Sequence, residues 1–400
     1  MPYRNALITA SFVTCMLTAC NSSQERVNSD EATLVGEDST SFISTRFVPP
    51  QNKQLLFIGQ DSDTIRDYIA AVPEDNIEAV TLYSQLKHSD PNQTLKGIHE
   101  SASWNSGEVS FPKTLAASPQ AAIAIGLALD TCNGQANHTE NVAQGNYDAS
   151  LAQLVTTLKS WAPRKVFLRI GYEFDGPWNC YQPDSYKAAF RHIKQAIDNN
   201  GATNIATVWQ SATWPDGYGN KDYDVREKDH FEKWYPGDDV VDWVSMSVFY
   251  RDLSNWNYVP PSTPDFGQQK MLAFARAHNK PLMISEAAPQ GYRTEALTQS
   301  VIQENKPSPV SAEQIWLQWY QPFFDFIEQN KDVIRAVAYI NTQWEAQGMW
   351  ICEPNIAAGQ QGCNNGNWGD SRVQANEYIK SKWLEQINDE STWIQTSQYE

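Results

Sequence analysis

Residues 165–173 read KVFLRIGYE, a short apolar run that ends on a glutamate. A second run of this kind, PLMISE at residues 281–286, also ends on a glutamate. Continuous apolar runs of about four to eight residues are typical of strands that are buried on both faces, as in a parallel sheet. The two stretches therefore predict two buried strands, each of which ends at a carboxylate.

Short apolar runs of the same kind recur along the chain, with helical or loop segments between them. We count eight, at residues 55–58, 79–83, 122–128, 165–170, 205–209, 243–248, 281–285 and 334–340. Helices are predicted at residues 184–199, 267–278, 311–329 and 373–387, and Ser311 with Gln314 has the pattern of a capping box. Strands that alternate with helices predict an α/β fold. Eight such repeats favour a (β/α)8 TIM barrel, a single catalytic domain over residues 53–400.

Two features fit this pattern less well. An open doubly wound sheet is the alternative architecture, but the sequence has no Gly-rich nucleotide loop of the kind that such sheets often carry. Residues 90–119 contain several turn-forming residues and little periodicity, so a long loop or a distorted helix is expected there.

The first residues have the features of an export signal. Arg4 precedes an apolar stretch at residues 6–17 that is too short to span a bilayer, which predicts a signal peptide over residues 1–19. Residues 17–20, LTAC, resemble a bacterial lipobox, and this resemblance implies that Cys20 is lipidated. An ordinary signal peptide with a chance cysteine is the alternative. Residues 20–52 are rich in Ser, Thr, Asn, Asp and Glu and are expected to form a flexible tether. Asn21 follows the cysteine in place of Asp, and the resemblance to enterobacterial sorting rules implies attachment to the outer membrane, on its periplasmic or cell-surface side.

The charge balance indicates what kind of partner the protein binds. The chain has 30 Lys plus Arg against 47 Asp plus Glu, a formal net charge of −17, which argues against nucleic acid as the main partner. The 15 Trp, 17 Tyr and 15 Phe could form flat platforms for sugar rings or could simply fill a large core. A polysaccharide or oligosaccharide substrate is therefore expected, bound by a monomer.

Four cysteines remain once the export segment is set aside. In an exported chain an even number of cysteines indicates disulfides, and Cys132, Cys180, Cys352 and Cys363 allow three pairings. We favour a bridge between Cys352 and Cys363, which closes a short loop, and one between Cys132 and Cys180, which follow neighbouring strands. A metal site is the alternative, but no CxxC pair or His-rich cluster is present, so neither a metal nor a cofactor is expected.

Functional groups of such a barrel project from the carboxyl ends of its strands. Glu173 and Glu286 occupy these positions on the fourth and seventh predicted strands. Two carboxyl groups that face one cavity are what glycoside hydrolysis requires, one as an acid and one as a nucleophile or base. Asp130 also ends a strand, and Asp175 and Glu345 are less well placed alternatives.

These two segments resemble glycoside hydrolase family 26, which consists mostly of β-mannanases. Residues 169–176, RIGYEFDG, are similar to the family's fourth-strand motif Arg-Pro-x-His-Glu followed by Asn-Gly, and residues 280–286, KPLMISE, are similar to its seventh-strand pattern Lys-Pro-x-x-x-x-Glu. The resemblance implies that Glu173 is the acid/base and Glu286 the nucleophile of a retaining double displacement. It also implies an endo-acting enzyme that cleaves β-glycosidic bonds. A β-mannan is the first expected substrate.

One departure from the family bears on the substrate. The family usually has His before the acid/base, where it contacts sugar, and this chain has Tyr172. A β-xylan, a β-glucan or a marine galactan is therefore an alternative polymer. A glycan-binding surface lipoprotein without catalysis is an alternative of another class, which the presence of both glutamates disfavours.

Further residues at the strand ends and in the adjoining loops are expected to bind substrate. Arg169 either forms a buried salt bridge or keeps the nucleophile ionised. By resemblance to clan relatives, Tyr250 bonds to the nucleophile, with Phe249 as a rival for this position, and Trp344 lies under the reacting sugar. Tyr181 and Trp214 are further loop candidates. The predicted substrate-binding set is Arg169, Tyr172, Trp178, Trp209, Tyr250, Trp344 and Asp130.

The lipobox generates a direct test. Metabolic labelling with a fatty-acid analogue in a bacterial host should label the full-length wild type and should not label Cys20→Ala, because the thiol is the acceptor of the lipid. Labelling that survives the substitution would exclude Cys20 as the lipidated residue.

Overall fold

The computed structural model describes residues 42, 45–73, 75, 77–87, 93–129, 132, 138–214, 217–249 and 264–394. All of these lie in one compact unit, residues 40–400. The predicted signal peptide, the lipobox and most of the predicted tether lie outside the described residues.

Eight parallel strands close into a barrel, as the eight apolar runs predict. In chain order they are β1 Leu55–Gly59, β2 Ala79–Gln85, β3 Ala122–Ala128, β4 Val166–Ile170, β5 Ile205–Ser211, β6 Trp243–Val248, β7 Leu282–Ala287 and β8 Ile334–Ile340. Each strand pairs with its sequence neighbour, and β1 pairs with β8 in parallel to close the ring. The (β/α)8 barrel is therefore confirmed.

Helices surround the barrel between its strands. They are α1 Ser62–Ala71, α2 Phe111–Ala117, α3 His138–Ala143, α4 Asp148–Ser160, α5 Pro183–Asn199, α6 His230–Trp234, α7 Pro264–Ala277, α8 Ala312–Ile315, α9 Gln321–Gln329 and α10 Glu377–Ile387. A π-helical segment, Trp316–Tyr320, joins α8 to α9, so the helix predicted at residues 311–329 is one continuous element with a local irregularity. It begins with the predicted capping box of Ser311 and Gln314. Short 3-10 segments are Lys221–Tyr223, Trp344–Ala346, Gly348–Trp350 and Val373–Ala375.

Two small antiparallel sheets lie outside the barrel sheet. One pairs Ala102–Ser103 with Glu108–Val109, within the stretch that the sequence predicts to be a long loop or a distorted helix. The other joins Tyr292–Arg293, Thr298–Gln299 and Ser308–Pro309. None of the described helices is long and apolar enough to cross a membrane.

Side chains alternate between the barrel interior and the layer beneath the helices. On β5, Val208 belongs to the interior cluster and Gln210 reaches the interior carboxylates, so Trp209 between them points outward. Trp209 is fully buried and stacks on Phe174, with ring centroids 4.3 Å apart, and packs against Phe274. The prediction that Trp209 binds substrate is therefore wrong. It is a core residue that anchors helices to the barrel.

The folded chain begins earlier than the predicted boundary at residue 53. Phe47 packs edge-on against Phe167 of the barrel interior. The Trp243 indole donates to the carbonyl of Arg46 at 2.8 Å, and Arg335 donates to the carbonyl of Pro49 at 2.6 Å. Residues 45–52, which the sequence assigned to the tether, thus contact the amino-terminal end of the barrel, where burial of Phe47 favours their attachment.

Candidate active site

The position of Glu173 depends on an interruption of β4. The strand ends at Ile170, and both Gly171 (φ 53°) and Glu173 (φ 51°) have left-handed backbone conformations. At Gly171 a Cβ would lie 2.7 Å from the ring of Tyr186, so only glycine fits. Glu173 has no such freedom, and its conformation costs roughly 1–2 kcal/mol. The Asn179 amide offsets this by donating to the carbonyls of Tyr172 and Glu173, both at 3.0 Å.

The strand alternation of β4 therefore does not continue past Gly171, and the turn sets the direction of the Glu173 carboxyl group. Ser247 Oγ donates to Glu173 Oε1 at 2.8 Å, and Trp178 Nε1 donates to Oε2 at 3.0 Å. Burial, and next the negative charge of Glu286, raise the pKa of Glu173 to about 8 despite these two hydrogen bonds. A carboxyl group in this environment holds a proton at neutral pH.

Glu286 lies on β7 in a different electrostatic environment. Arg169 Nη2 donates to Glu286 Oε1 at 3.0 Å, and its Nη1 donates to the carbonyl of Ser285 at 2.8 Å. Arg169 is fully buried and Glu286 is almost so. The role predicted for Arg169 as a substrate ligand is therefore wrong in this structure, whereas its alternative role as a buried ion-pair partner fits. Arg169 therefore places a positive charge directly beside the Glu286 carboxyl group.

A glycine makes room for this ion pair. A Cβ at Gly126 on β3 would lie 2.5 Å from Arg169 Nη2 and 2.5 Å from a ring carbon of Tyr83. Side chains need about 3.4 Å or more, so any larger residue would displace the guanidinium from its path across the barrel.

Two tyrosines flank the same guanidinium. The Arg169 guanidinium carbon lies 5.0 Å from the ring centroid of Tyr83 and 5.4 Å from that of Tyr172. The rings themselves meet edge to face at 5.3 Å. Burial, followed by the charge of Glu286, raises the pKa of Tyr172 above its ordinary value, so its hydroxyl stays protonated. Tyr172 therefore lies beside the carboxylates with a half-buried ring, and its role in substrate binding stays a prediction. Tyr83 is a neighbour that the sequence did not reveal.

The alternative acids lie outside this arrangement. Asp175 is buried, where it accepts from the backbone N–H of Ala212 at 2.7 Å and contacts His230 Nε2 at 2.9 Å. Glu345 forms an ion pair with Arg293 at 2.7 Å. Both therefore stabilise loops.

Aromatic residues form a ridge beside Glu173. Trp178 is 45% exposed and meets Trp214 edge to face at 6.0 Å, and Tyr218 next to Trp214 is 63% exposed. A Cβ at Gly176 would lie 2.5 Å from the Trp178 ring, so this glycine lets the indole lie against the loop. The substrate-binding role of the exposed Trp178 stays a prediction, whereas the loop candidates Tyr181 and Trp214 are buried.

Trp344 is covered by neighbouring aromatic rings. It is 1% exposed, and its indole donates to Ser371 Oγ at 3.0 Å. Its ring packs against Trp368 at 4.7 Å and Trp350 at 5.2 Å, both of them half-buried, and against Phe249. The expectation that Trp344 itself lies under a sugar is therefore wrong in this structure, because two tryptophans from the loop after β8 cover it and present the accessible faces.

Both favoured disulfide pairings are present. Cys132 joins Cys180, two residues beyond Trp178, and Cys352 joins Cys363 in the loop that carries Trp350 and Trp368. Each bridge thus ties down a loop with aromatic residues at the carboxyl end of the barrel. Asp130 and Tyr250 lie outside the described residues, and among the described ones no cluster of His, Cys, Asp and Glu could hold a metal ion.

Gln210 and Ser247 contact the two carboxyl groups, although the sequence analysis does not predict them as site residues. Gln210 Nε2 donates to Ser247 Oγ at 3.1 Å and, at 3.4 Å, to Glu286 Oε1. The signal was available, because each is a polar residue at an inward position near the end of a buried strand. The predicted site includes Trp209, the bulkier neighbour of Gln210, and neither Gln210 nor Ser247.

The closed (β/α)8 barrel of this chain is a fold that it shares with solved family 26 glycoside hydrolases. Among solved structures it is similar to the catalytic domain of a family 26 endo-β-1,4-mannanase from Bacillus sp. JAMB-750, with a TM-score of 0.51 and 13% identity over 87% of this chain and 89% of that one. The similarity establishes the fold alone.

In sequence, the chain is similar to two β-1,3-xylanases. The chain is 35% identical over 348 residues to a β-1,3-xylanase from a Vibrio species and 34% identical over 343 residues to a β-1,3-xylanase from an Alcaligenes species. These alignments cover 86% and 84% of this chain but 66% and 64% of the relatives, so the chain spans just under two thirds of their length. No family model matches the sequence.

The buried ion pair generates a stability prediction. Arg169→Met should lower the free energy of unfolding by about 3 to 5 kcal/mol, because it leaves the Glu286 carboxylate buried without its partner. Adding Glu286→Gln to that variant should restore most of the loss, since the uncompensated charge is then removed. Urea unfolding at pH 7, followed by tryptophan fluorescence, measures both values. Equal stability of Arg169→Met and the wild type would contradict the ion-pair interpretation.

Proposed function

We propose that this protein is a retaining glycoside hydrolase in which Glu173 is the acid/base and Glu286 is the nucleophile. One observation carries the proposal. Two glutamates at the carboxyl end of one barrel have opposite environments, since Glu173 is held protonated beside Glu286 while Glu286 is paired with a buried arginine. Separation of proton affinity between two carboxyl groups is how such enzymes assign the acid and the nucleophile.

The first step uses this difference directly. Glu286 attacks the anomeric carbon as a carboxylate, and the Arg169 guanidinium orients it through Oε1. Glu173 donates its proton to the leaving glycosidic oxygen, and the bond between that oxygen and the anomeric carbon breaks. A glycosyl ester of Glu286 forms, and Glu173 becomes a carboxylate that Ser247 and Trp178 stabilise through their hydrogen bonds.

The second step follows from the loss of one charge. Esterified Glu286 is neutral, so its contribution to the raised pKa of Glu173 disappears, which favours the ionised form of Glu173 in this step. It then accepts a proton from water, whose oxygen attacks the anomeric carbon and releases Glu286. Two displacements at the same carbon retain the configuration.

For the substrate we propose a β-1,3-xylan. The support is the similarity to two β-1,3-xylanases along most of this chain, together with Tyr172 at the position where the mannanase motif has His. Trp178 and Tyr218 on one side, and Trp350 and Trp368 on the other, supply exposed or half-exposed rings for neighbouring sugars. Export and attachment to the outer membrane through Cys20 would place the enzyme where an extracellular polymer or its fragments arrive.

Product analysis on a panel of polysaccharides tests the substrate. β-1,3-xylan should be cleaved to xylo-oligosaccharides, whereas β-1,4-mannan and β-1,4-xylan should react at least about tenfold more slowly, since the linkage decides how successive rings meet the aromatic platforms. Glu173→Gln, which keeps the shape of the side chain, is the inactive control. Faster cleavage of mannan would return the substrate to the one first expected from the motifs, and binding without any cleavage would indicate a glycan-binding protein.

Chemical rescue tests the two roles. Glu286→Ala should lose turnover, and azide should restore cleavage of an activated aryl glycoside with inverted product, because the anion occupies the space of the missing nucleophile. Glu173→Ala should retain the first step on that substrate, because an activated leaving group needs little protonation, and azide should give a product of retained configuration. The anomeric configuration of the glycosyl azide, read by NMR, distinguishes the variants. The same configuration from both would refute the assignment.

A further inference from the structure

Two buried side chains link the carboxyl groups. Gln210 on β5 donates from Nε2 to Ser247 Oγ at 3.1 Å and towards Glu286 Oε1 at 3.4 Å. Ser247 on β6 donates in turn to Glu173 Oε1 at 2.8 Å. Both linking residues are fully buried. A further hydrogen bond holds the backbone of Ser247 in place, since Thr213 Oγ1 donates to the Ser247 carbonyl at 2.8 Å.

The direction of each hydrogen bond in this link follows from the charge at its start. An ionised carboxylate only accepts hydrogen bonds, so the Gln210 amide must present its NH2 group, and not its oxygen, to Glu286. That NH2 group is then also the one that faces Ser247 Oγ, which has to accept. The Ser247 hydroxyl accepts there with one lone pair and donates its one hydrogen to Glu173 Oε1.

The other end of the Gln210 amide agrees with this orientation. Gln210 Oε1 is buried and has no hydrogen-bond partner among the described residues. An amide that could choose freely would turn its oxygen towards a donor such as the Ser247 hydroxyl, because an unpaired buried acceptor is costly. The orientation is therefore held by the Glu286 carboxylate.

We infer that Gln210 and Ser247 form a positioning bridge through which the charge of Glu286 holds the Ser247 hydroxyl as a donor to Glu173 Oε1 and so stabilises the ionised acid/base. The inference rests on the proposed function, since it concerns how the acid/base of that reaction is held. The Trp178 indole donates to the other oxygen, Oε2, so each oxygen of Glu173 accepts one hydrogen bond. The carboxylate that forms in the first step is thus stabilised at both oxygens.

The other charged and titratable groups around Glu173 do not occupy this link. Asp175 in the same loop is paired with His230 and also raises the pKa of Glu173, as a minor contribution. The Tyr172 hydroxyl lies near both glutamates, and Arg169 contacts Glu286 from β4. Only Ser247 and Trp178 donate hydrogen bonds to the Glu173 carboxyl group among the described residues.

Infrared difference titration of the full chain tests the bridge without any substrate. The carboxylic acid band of Glu173, identified by its absence in Glu173→Gln, should disappear in the wild type as the pH rises through about 8. In Ser247→Ala this loss should move upward by about 0.5 to 1 pH unit, because the ionised form loses a hydrogen-bond donor. The alkaline limb of kcat/KM should move with it.

Ser245→Ala is the matched control. Ser245 is an equally buried serine two residues earlier on the same strand, and its hydroxyl bonds to Ser285 Oγ and not to a carboxyl group. The titration of Glu173 should stay at its wild-type position in this variant. A shift in Ser247→Ala no larger than in Ser245→Ala would overturn the inference.

Gln210→Met tests the direction of the link. Without the amide, the Ser247 hydroxyl is free to accept the proton of Glu173, which stabilises the neutral acid and moves the titration upward. The same change in a Ser247→Ala background should add no further shift, because the route is already broken, whereas additive shifts would overturn the bridge. A neutron structure below pH 7 should show the Ser247 deuteron directed at Glu173 Oε1, and a Ser247 deuteron directed elsewhere would equally refute the bridge. Loss of glycosidase activity on every substrate would refute the proposed function while leaving these measurements intact.

Discussion

The active site depends on a buried ion pair that crosses the barrel from β4 to β7. Arg169 is fully buried and contacts Glu286 directly, so each charge is costly to bury unless the other is present. Space for the guanidinium requires Gly126 on β3, and Tyr83 and Tyr172 hold its flanks. The charge that this pair fixes on Glu286 then acts on Glu173, whose pKa it helps to raise. The raised pKa of Glu173 therefore follows first from its burial and next from the charge of Glu286, the partner of Arg169.

The loops at this end of the barrel hold Glu173 and the aromatic side chains around it in place. Gly171 ends β4, and Glu173 takes up a left-handed conformation that Asn179 stabilises from the same loop. The Cys132–Cys180 bridge closes the chain just beyond Trp178, so the indole that bonds to Glu173 is part of a cross-linked loop. Cross-links of this kind restrict the motion of the loop that carries Glu173 and Trp178. The loop after β8 has its own bridge and carries Trp350 and Trp368.

Strand periodicity was a sound guide to the barrel and a poor guide to individual side chains. All eight apolar runs form barrel strands, because a strand buried on both faces must be apolar throughout. A strand that is apolar throughout does not indicate which side chains point inward. The sequence therefore predicts that Trp209 binds substrate, although Trp209 lies beneath the helices. Trp344 was placed from a resemblance to relatives, and the covering rings of Trp350 and Trp368 come from a loop that has no periodicity to interpret.

The sequence by itself determined the barrel, the two glutamates at strand ends and the favoured cysteine pairs, because each depends on local pattern or on the order of strands along the chain. Only the tertiary structure decided that Arg169 pairs with Glu286 and that Gln210 and Ser247 join the carboxyl groups. These contacts link residues between 37 and 117 positions apart. Their geometry is fixed by barrel closure and by the space that Gly126 leaves, neither of which any single stretch of sequence specifies.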